Sequence, residues 1–314
     1  MNILTTNTGR RSYFVKYLIN EKKKNSHIFV ADNNIYNASM NISNSTKIKL
    51  PLVSDGEKKY LNSLMLYVKK KKINLIIPCT NYDLKILSKA KKKFNKINCN
   101  ILVSSYDLIC KLLDKSKTSE FCLLNKIKTP KIYYAFDQIK NKKRFFIKKK
   151  KIGFSSKNIK KIFKIRKKDF EKNYIIQEYV SGKEIHFDIL NDLNGKFIDC
   201  CAKKKLLMHD GETYQAEILK NNKYYKLGKM ISEKLRHVGN LDCDAIETNK
   251  GEVFFIDFNP RFGGGYPFTH SSGKNFISLI FNNFKKKNVK KEYRRKKQIF
   301  TKGLEILEVK NEKK

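Results

Sequence analysis

Over the first hundred residues of this 314-residue chain, short apolar runs alternate with amphipathic stretches, and this alternation restricts the fold more than any other feature. The apolar runs cover residues 2–6, 27–31, 74–78 and 100–103, and each is typical of a buried strand. The stretches between them have helical spacing, as in residues 58–70. Strands that alternate with helices pair in parallel through βαβ crossovers. The sequence therefore predicts an α/β domain with a parallel sheet.

Polar residues follow three of the predicted strands. In parallel sheets, ligands bind beyond the carboxyl ends of the strands. The candidates in this domain for contact with an acceptor substrate are therefore Gly9, Arg10, Asp32 and Asp83. Asp32 is equally compatible with a plain strand-end role.

From residue 107 onward the pattern changes to an α+β arrangement with antiparallel strands. Helices are predicted at 114–124 and 224–238, and strands at 145–149, 174–179, 185–190, 245–248 and 253–258. The segments Ser181-Gly182, Asn194-Gly195 and Asn249-Lys250-Gly251 are typical of hairpin turns. We expect an N-terminal domain over residues 1–106, a second domain over 107–284 and a basic C-terminal tail over 285–314, with local structure in the tail only at 303–309.

The formal net charge of +40, from 69 Lys and Arg against 29 Asp and Glu, would ordinarily indicate a nucleic-acid or anionic-membrane partner. Only eight of the basic residues are Arg, and the lysine runs are spread along the chain, for example at 69–72, 148–151 and 285–287. Proteins that read nucleic acids concentrate their charge and use Arg for bidentate contacts. A genome rich in A and T codons would produce the same composition. We therefore expect no specific nucleic-acid partner, and it stays open whether the charge has a function.

The sequence shows no sign of a membrane or secretory protein. No apolar run approaches the roughly 20 residues that cross a bilayer, and the N-terminus lacks the apolar core of a signal peptide. Seven cysteines form an odd set without a Cys-x-x-Cys pair, which suits neither a disulfide framework nor a zinc site. A cytoplasmic location without membrane association is the simplest interpretation.

The most specific chemical pattern surrounds a predicted hairpin near residue 250. Asp257 and Asn259 lie two residues apart on a predicted strand, so their side chains point to the same face. Together with Asp244 on the neighbouring strand they offer hard oxygen ligands of the kind that Mg²⁺ prefers. Arg261 can pair with a phosphoryl group, and the three glycines at 263–265 permit close backbone approach. A purely structural role for these residues is the alternative.

Two weaker motifs for phosphate binding precede this hairpin. Lys115 stands at the start of a predicted helix, where its side chain can reach a phosphate. Lys148 and Lys149 end a predicted strand before the small-residue loop 153–158, in which Ser156 and backbone N–H groups can cradle phosphates. The ordinary alternatives are a capped surface helix and a solvated basic turn.

A third motif is an apolar strand that ends in Gln177-Glu178-Tyr179-Val180 and is followed by Glu184. Such a segment can offer backbone groups to an adenine and a carboxylate to a ribose. The alternative is an ordinary hairpin with surface acids. Further along, His209-Asp210-Gly211-Glu212 is a candidate substrate loop or a plain surface turn.

In this order the motifs resemble those of the ATP-grasp superfamily, and within it the group similar to the carbamoyl phosphate synthase large subunit. The resemblance extends over about residues 1–284 and is most specific at Asp257-Phe258-Asn259-Pro260-Arg261, which matches the acidic-x-Asn-Pro-Arg element of that group. Thr8-Gly9-Arg10-Arg11 and Pro78-Cys79-Thr80-Asn81-Tyr82-Asp83 also resemble its first domain. The fold that this implies is α/β, with a Rossmann-like parallel-sheet pre-ATP-grasp domain followed by an α+β ATP-grasp domain.

The resemblance also implies roles for individual residues. The residues implied in binding ATP are Lys115, Lys148 or Lys149 (with Lys149 preferred) and Ser156 for the phosphates, Gln177, Glu178, Tyr179 and Val180 for the adenine, and Glu184 for the ribose. The implied Mg²⁺ ligands are Asp244, Asp257 and Asn259, and the implied catalytic residues are Arg261 and Lys205. The sequence departs from the group where Lys replaces Pro after the strand lysine, in a loop with fewer glycines, and where Asp257 replaces the commoner Glu.

The implied activity is that of an ATP-dependent ligase, which activates a carboxylate as an acyl phosphate for attack by an amine or similar nucleophile. The implied cofactors are ATP and Mg²⁺, and the implied partners are a small-molecule carboxylate and an amine. A homodimer is one option, because dimers are common in the superfamily. Two alternatives stay open: a protein of the same fold that binds Mg-ATP or transfers phosphate without ligation, and, less favoured, a basic nucleic-acid-binding protein. The identities of the carboxylate and the nucleophile are not given by the sequence.

Overall fold

The computed structural model describes residues 1–139, 144–152, 159–209, 211–282, 297–303, 305 and 307. Its helices are α1 (Ser12–Glu21), α2 (Glu57–Lys70), α3 (Leu84–Asn95), α4 (Tyr106–Leu113), α5 (Lys115–Leu124), α6 (Asn222–Leu235), α7 (Tyr266–Ser271) and α8 (Phe276–Phe281). Its first strands are β1 (Asn2–Thr6), β2 (Ile28–Asp32), β3 (Thr46–Lys49), β4 (Ile73–Pro78), β5 (Asn100–Ile101), β6 (Ile132–Tyr133), β7 (Phe146–Lys150), β8 (Lys160–Ile162) and β9 (Tyr174–Glu178). The remaining strands are β10 (Lys183–Asn191), β11 (Phe197–His209), β12 (Glu212–Leu219), β13 (Gly239–Glu247), β14 (Val253–Asn259) and β15 (Ile299–Thr301). Among the helices of these described ranges, none is long and apolar enough to span a bilayer.

The N-terminal region is a five-stranded parallel sheet with the strand order β3-β2-β1-β4-β5, which confirms the predicted parallel α/β arrangement. Alternate residues of β1 face opposite layers: Ile3 packs in the core with α1, and Leu4 packs in the core with α2 and α3. The strand order reverses between β1 and β4, so the turns that follow these two strands are neighbours. The short strand β3 was not predicted, since its sequence Thr-Lys-Ile-Lys contains only one strongly apolar residue.

The second region is built on a six-stranded antiparallel sheet with the order β14-β13-β10-β11-β12-β15. The predicted hairpin turns at 194–195 and 249–251 are confirmed, because they join β10 to β11 and β13 to β14. Gly195 and Gly251 have φ values of +76° and +77°, a conformation that favours glycine. Helix α6 covers one face of the sheet through Ile231 and Leu235. The long pair β11 and β12 was not predicted.

The predicted hairpin at Ser181-Gly182 is wrong. Strand β9 belongs to a separate four-stranded sheet with the order β6-β9-β7-β8, whereas β10 lies in the six-stranded sheet. The segment between them connects two sheets, and its glycine is explained by packing: a Cβ at Gly182 would lie 2.2 Å from the carbonyl oxygen of Glu247. A local turn signal therefore did not decide which strands pair.

The two regions share one hydrophobic core. Phe14 on α1 lies 4.9 Å from Phe262, measured between ring centroids, and Phe262 also packs against Tyr266 on α7. The last strand, β15, pairs with β12 at the edge of the six-stranded sheet. Structure in the C-terminal tail thus begins before the predicted 303–309, because the apolar residues at 299–300 extend an existing sheet edge.

Candidate functional site

Three adjacent strands of the six-stranded sheet carry polar side chains at every second position. These residues form a polar band: Glu184, His186 and Asp188 on β10, Asp242 and Asp244 on β13, and Asp257 and Asn259 on β14. The register places His186 opposite Asp244, and Asp244 opposite Asp257. Because side chains two apart on a strand share a face, the polar band crosses the sheet on one side.

The β14 end of the polar band is partly open and contains two of the three predicted metal ligands. Lys115, the first residue of α5, places its Nζ 3.1 Å from Asp257 Oδ1, and 31% of the Asp257 side chain is exposed. Asn259 donates to Asp257 Oδ2 at 3.1 Å and accepts from Asn81 at 2.8 Å. The predicted phosphate-binding lysine and the predicted metal-binding carboxylate are therefore direct neighbours.

The two candidate lysines of strand β7, Lys148 and Lys149, point to opposite faces of the strand. Lys149 is buried and donates at 3.5 Å to the carbonyl of Ile256, the unpaired residue of a bulge in β14. Burial and the neighbouring Lys115 lower the pKa of Lys149 to about 8, against the opposing charges of Asp257 and Asp244. Lys149 therefore lies at the open end of the polar band.

Lys148 points to the other face of the same strand. Its Nζ lies 2.5 Å from Glu171 Oε1 and 3.5 Å from Asp169 Oδ1. Burial lowers the pKa of Lys148, but these two carboxylates outweigh burial and raise it. Lys148 is thus already paired with two carboxylates, and the preference for Lys149 as the phosphate-binding lysine stays a prediction.

Lys205 connects two of the predicted ligand-binding acids. Its Nζ lies 3.0 Å from Asp244 Oδ1 and 3.2 Å from Glu184 Oε2. Burial lowers the pKa of Lys205, but the charges of Asp244 and Glu184 raise it well above its usual value. About half of the Glu184 side chain is exposed, so it is accessible to a ligand, whereas Asp244 is shared between Lys205 and His186.

On the β10 side of the polar band, His186 and Asp188 form with Asp242 of β13 a buried cluster whose charges are closely compensated. His186 lies 3.0 Å from Asp244 through Nδ1 and 3.0 Å from Asp242 through Nε2. Asp188 accepts hydrogen bonds from Lys203, from Thr269 and, at 3.0 Å, from Asn240.

Electrostatics hold this cluster in a charged state. Burial and Lys203 lower the pKa of His186, but Asp242 and Asp188 outweigh them and raise it to about 10. Burial raises the pKa of Asp188, but Lys203 and His186 bring it far below its usual range. The predicted catalytic residue Arg261 also belongs here, because its Nη1 is paired with Asp242.

The glycines at 263–265 are explained by this cluster. A Cβ at Gly263 would lie 2.2 Å from the carboxyl carbon of Asp242, and one at Gly265 would lie 2.6 Å from His186 Nε2. At Gly264 the nearest atom, from the Glu212 side chain, would be 3.3 Å away. The close backbone approach that the sequence predicted is therefore found, and it is an approach to buried side chains.

The predicted adenine-binding residues lie at the end of β9. Gln177 is buried and donates to the Pro130 carbonyl at 3.3 Å, and Glu178 is paired with Arg144 at 2.8 Å. Tyr179 and Val180 follow and are half-buried, and Lys161 lies 4.0 Å from the Tyr179 ring centroid. Ser156 and the rest of the predicted phosphate loop, 153–158, lie outside the described residues.

The acceptor-site candidates of the N-terminal domain separate into different roles. Asp83 is fully buried and accepts from Thr6 at 2.6 Å and from Tyr60 at 3.0 Å, and burial raises its pKa. It ties strand ends together and does not face a cleft. Asp32 accepts from the Gly9 N–H at 3.3 Å. Arg10 reaches across to the second region, 3.1 Å from Glu212 Oε1.

The donor set at the open end fits a hard divalent cation. Asp257 and Asn259 supply side-chain oxygens from one face, and Asp244 is the register partner of Asp257. Carboxylate and amide oxygens are preferred ligands of Mg²⁺. The tightest group of acids and histidine within the described ranges is a different one, His186, Asp188 and Asp242, and it is already compensated by Lys203 and Arg261.

Sequence reasoning missed most of the buried cluster. His186 and Asp188 were not singled out as ligands or positioning groups, and neither was Asn81 or Lys203. A signal was present: Glu184-x-His186-x-Asp188 and Asp242-x-Asp244 have the period of a strand with one polar face, although the predicted strands began only at residues 185 and 245. Only the register shows that these two strands are neighbours.

Models of two protein domains match the chain. Residues 3–102 match the PylC-like N-terminal domain, and residues 112–265 match the ATP-grasp domain. The expected resemblance to the ATP-grasp superfamily is thereby confirmed, and the domain that precedes the ATP-grasp domain matches the PylC-like type.

A curated relative, the 3-methyl-D-ornithine–L-lysine ligase of Methanosarcina mazei, is 27% identical over 123 residues. The matched stretch covers 37% of this chain and 32% of that ligase. The chain thus matches about a third of the length of that relative.

Two solved structures illustrate the fold. The L-amino acid ligase of Bacillus licheniformis aligns with a TM-score of 0.66 at 15% identity, covering 90% of this chain and 73% of that one. N5-carboxyaminoimidazole synthetase of Staphylococcus aureus, solved in complex with ADP, aligns with a TM-score of 0.68 at 14% identity, covering 89% and 76%. At these identities the likeness shows the fold alone.

Proposed function

We propose that this chain, in which a PylC-like N-terminal domain precedes an ATP-grasp domain, is an ATP-dependent ligase that joins a small-molecule carboxylate to an amine. The observation that carries the proposal is the pairing of Lys115 with Asp257 beside the buried Lys149. Two cations and a partly exposed carboxylate at one end of the polar band suit a nucleoside triphosphate with its metal ion. The names of the relatives, an amino acid ligase among them, support the same class of reaction.

The reaction has two balanced steps. In the first, the bond between the γ-phosphorus of ATP and its bridging oxygen breaks, a substrate carboxylate oxygen bonds to that phosphorus, and ADP leaves. In the second, the nitrogen lone pair of an amine attacks the acyl carbon, inorganic phosphate leaves with the carbon–oxygen electron pair, and the nitrogen loses a proton. A carboxylate needs this activation because its charge repels nucleophiles and oxide is a very poor leaving group.

The residues of this chain would bind ATP and its metal ion, orient the phosphates and neutralise their charge. Lys115 and Lys149 would hold the phosphate oxygens, and a bound phosphate would keep Lys149 protonated despite its lowered pKa. Asp257 and Asn259, with Asp244, would hold Mg²⁺, which supplies charge neutralisation for the phosphates when bound. Arg261, fixed by Asp242, would face the transferred phosphoryl group. Glu184 would accept from the ribose hydroxyls.

A thermal-shift experiment followed by an assay of ADP release tests the proposal. Wild-type protein is expected to be stabilised by Mg-ATP and to release ADP only when a carboxylate and an amine are both present. Asp257→Ala should lose both responses, whereas the matched control Asp107→Ala, an exposed carboxylate on α4, should keep them.

Two outcomes would contradict the ligase. Absence of an Mg-ATP shift in the wild type would exclude a nucleotide-dependent enzyme. A shift without carboxylate-dependent ADP release across a broad panel of amino acids and amines would favour a non-ligating Mg-ATP-binding protein.

A further inference from the structure

Arg11 is a cation at the boundary between the two domains. It immediately precedes α1, and its Nη1 donates to the carbonyl oxygen of Cys79, just beyond β4. Its side chain is partly buried. Across the described residues, no carboxylate lies within salt-bridge distance of its guanidinium, in contrast to Arg10 and Arg261. The hydrogen bond to Cys79 fixes the orientation of the Arg11 guanidinium, but it does not compensate the positive charge of that group.

The acidic groups around Arg11 are already bound to other cations. Glu212 pairs with Arg10 at 3.1 Å and with Lys302 at 3.6 Å. Asp242 pairs with Arg261. Burial lowers the pKa of Arg11, but Tyr13 and Cys79, followed by Glu212 and Asp242, raise it overall. These carboxylates are therefore near enough to act on Arg11 through space, but their oxygens are used elsewhere.

The surroundings of Arg11 carry a surplus of positive charge and a free hydrogen-bonding group. Among the described residues, Glu212 is the one carboxylate that pairs with Arg10 and Lys302, and none pairs with Arg11. The buried hydroxyl of Tyr13 has no hydrogen-bond partner, and its pKa is raised by burial despite the influence of Arg11. A partly buried cation and an unsatisfied hydroxyl are both costly unless a ligand completes them.

The segment that follows β4 connects Arg11 with the polar band. Arg11 donates to the carbonyl oxygen of Cys79, the first residue of this segment. Two residues further along, Asn81 reaches Asn259 of the polar band at 2.8 Å. A small molecule bound by Arg11 would therefore be near the residues that we assign to ATP.

We propose that Arg11 is a substrate-binding residue that holds a carboxylate group of the small-molecule substrate between the two domains. The inference rests on the proposed ligase, because it names the residue that brings the acid substrate to the ATP site. A guanidinium forms charge-assisted and bidentate hydrogen bonds with a carboxylate, which matches a fork with unused donors. The Tyr13 hydroxyl is the second donor available there.

Titration calorimetry with defined probes tests the role of Arg11. The probes are L-lysine, D-ornithine, L-glutamate and succinate, with inorganic phosphate as a non-carboxylate anion. Wild-type protein should bind at least one of the carboxylates, and Arg11→Gln should weaken that binding about 10- to 100-fold, because a charge-assisted pair is lost. Arg11→Lys should show an intermediate loss, and it covers the case in which Arg11→Gln does not fold. The matched control is Arg236→Gln, an exposed arginine elsewhere, which should bind as the wild type does.

The outcomes separate this inference from the proposed function. Arg11→Gln should keep the Mg-ATP thermal shift, and Asp257→Ala should keep the carboxylate binding. If the wild type binds a carboxylate through Arg11 but does not respond to Mg-ATP, the ligase fails and the Arg11 site stands. Equal carboxylate affinity in Arg11→Gln and wild type, Arg11-dependent binding of phosphate alone, or no binding of any probe by the wild type would each overturn the assignment.

Discussion

Two clusters of acidic side chains lie on one face of the same sheet, yet their partners differ greatly. In the buried cluster, Asp188 is fully buried and receives hydrogen bonds from a lysine, a threonine and an asparagine. In the open cluster, formed by Lys115, Lys149, Asp257 and Asn259, the Asp257 side chain is 31% exposed and has two partners, Lys115 and Asn259, each at 3.1 Å. The presence of carboxylates alone therefore does not identify a ligand site. The exposure of each carboxylate and the number of its protein partners are the better guide.

The charge balance of the two clusters leads to the same conclusion. In the buried cluster, the three carboxylates of Asp188, Asp242 and Asp244 are matched by Lys203, Arg261 and a protonated His186, so no further ion is needed. In the open cluster, Lys115 and Lys149 exceed the single carboxylate of Asp257, apart from the shared Asp244. The buried cluster resembles a structural scaffold, whereas the open cluster has charge to spare for a polyanionic ligand.

The largest expected effect comes from a substitution in the buried cluster. Asp188→Asn leaves the buried Lys203 without its counter-ion and should lower the free energy of unfolding by about 3–5 kcal/mol. The matched change in the open cluster, Asp257→Asn, should cost less than about 1 kcal/mol, because a partly exposed pair contributes little. Urea unfolding followed by circular dichroism measures both. Equal losses in the two variants would show that the clusters do not differ as described.

A second, smaller effect concerns ligand binding at the open cluster. Lys149→Met should weaken Mg-ATP binding about 10- to 100-fold, because a charge-assisted contact to phosphate is lost. Lys148→Met should change it by less than about 3-fold, since Lys148 is engaged with Glu171 and Asp169. Calorimetric titration with Mg-ATP and a non-hydrolysable analogue compares the two variants. A larger loss in Lys148→Met would reverse the assignment of the neighbouring lysines.

The sequence predicts the open cluster better than the buried one for a physical reason. Lys115, Asp257 and Asn259 belong to short local motifs, and the last two lie two residues apart on one strand. The buried cluster depends on pairing between β10 and β13, which are about 50 residues apart in the chain. Periodicity shows that each strand has a polar face, but it does not show which strands are neighbours.

The same limit explains the errors in the fold. The parallel sheet was predictable because βαβ crossovers restrict which strands can pair. In the second half, Ser181-Gly182 and Asn194-Gly195 are both turn signals, yet only the latter joins paired strands. Strand β15 lies in a lysine-rich segment whose sequence does not indicate the sheet edge that it extends.

The third and smallest effect concerns two buried histidines of the same region, His186 and His237, whose surroundings differ. His186 is surrounded by carboxylates, whereas His237 is fully buried with the Ile189 carbonyl as the acceptor for its Nε2–H at 3.0 Å. Burial lowers the pKa of His237 to about 4, against the hydrogen bond to Ile189. Since the unfolded chain binds this proton near pH 6.5, the stability contributed by neutral His237 is present above pH 6.5 and is lost as the pH falls towards 4.

This dependence of stability on protonation predicts that the wild type and a His237 variant lose stability to different extents below pH 6.5. Over the pH unit below 6.5, the wild type should lose roughly 1 kcal/mol more than His237→Asn, which cannot take up that proton. Urea unfolding at several pH values gives the slope for each protein, and the carboxylates common to both proteins cancel in the difference. Identical slopes would mean that His237 is protonated in the folded protein. A buried histidine without carboxylate neighbours among the described residues would then carry a charge. In that case, the presence of neighbouring carboxylates would not decide whether a buried histidine of this region is charged.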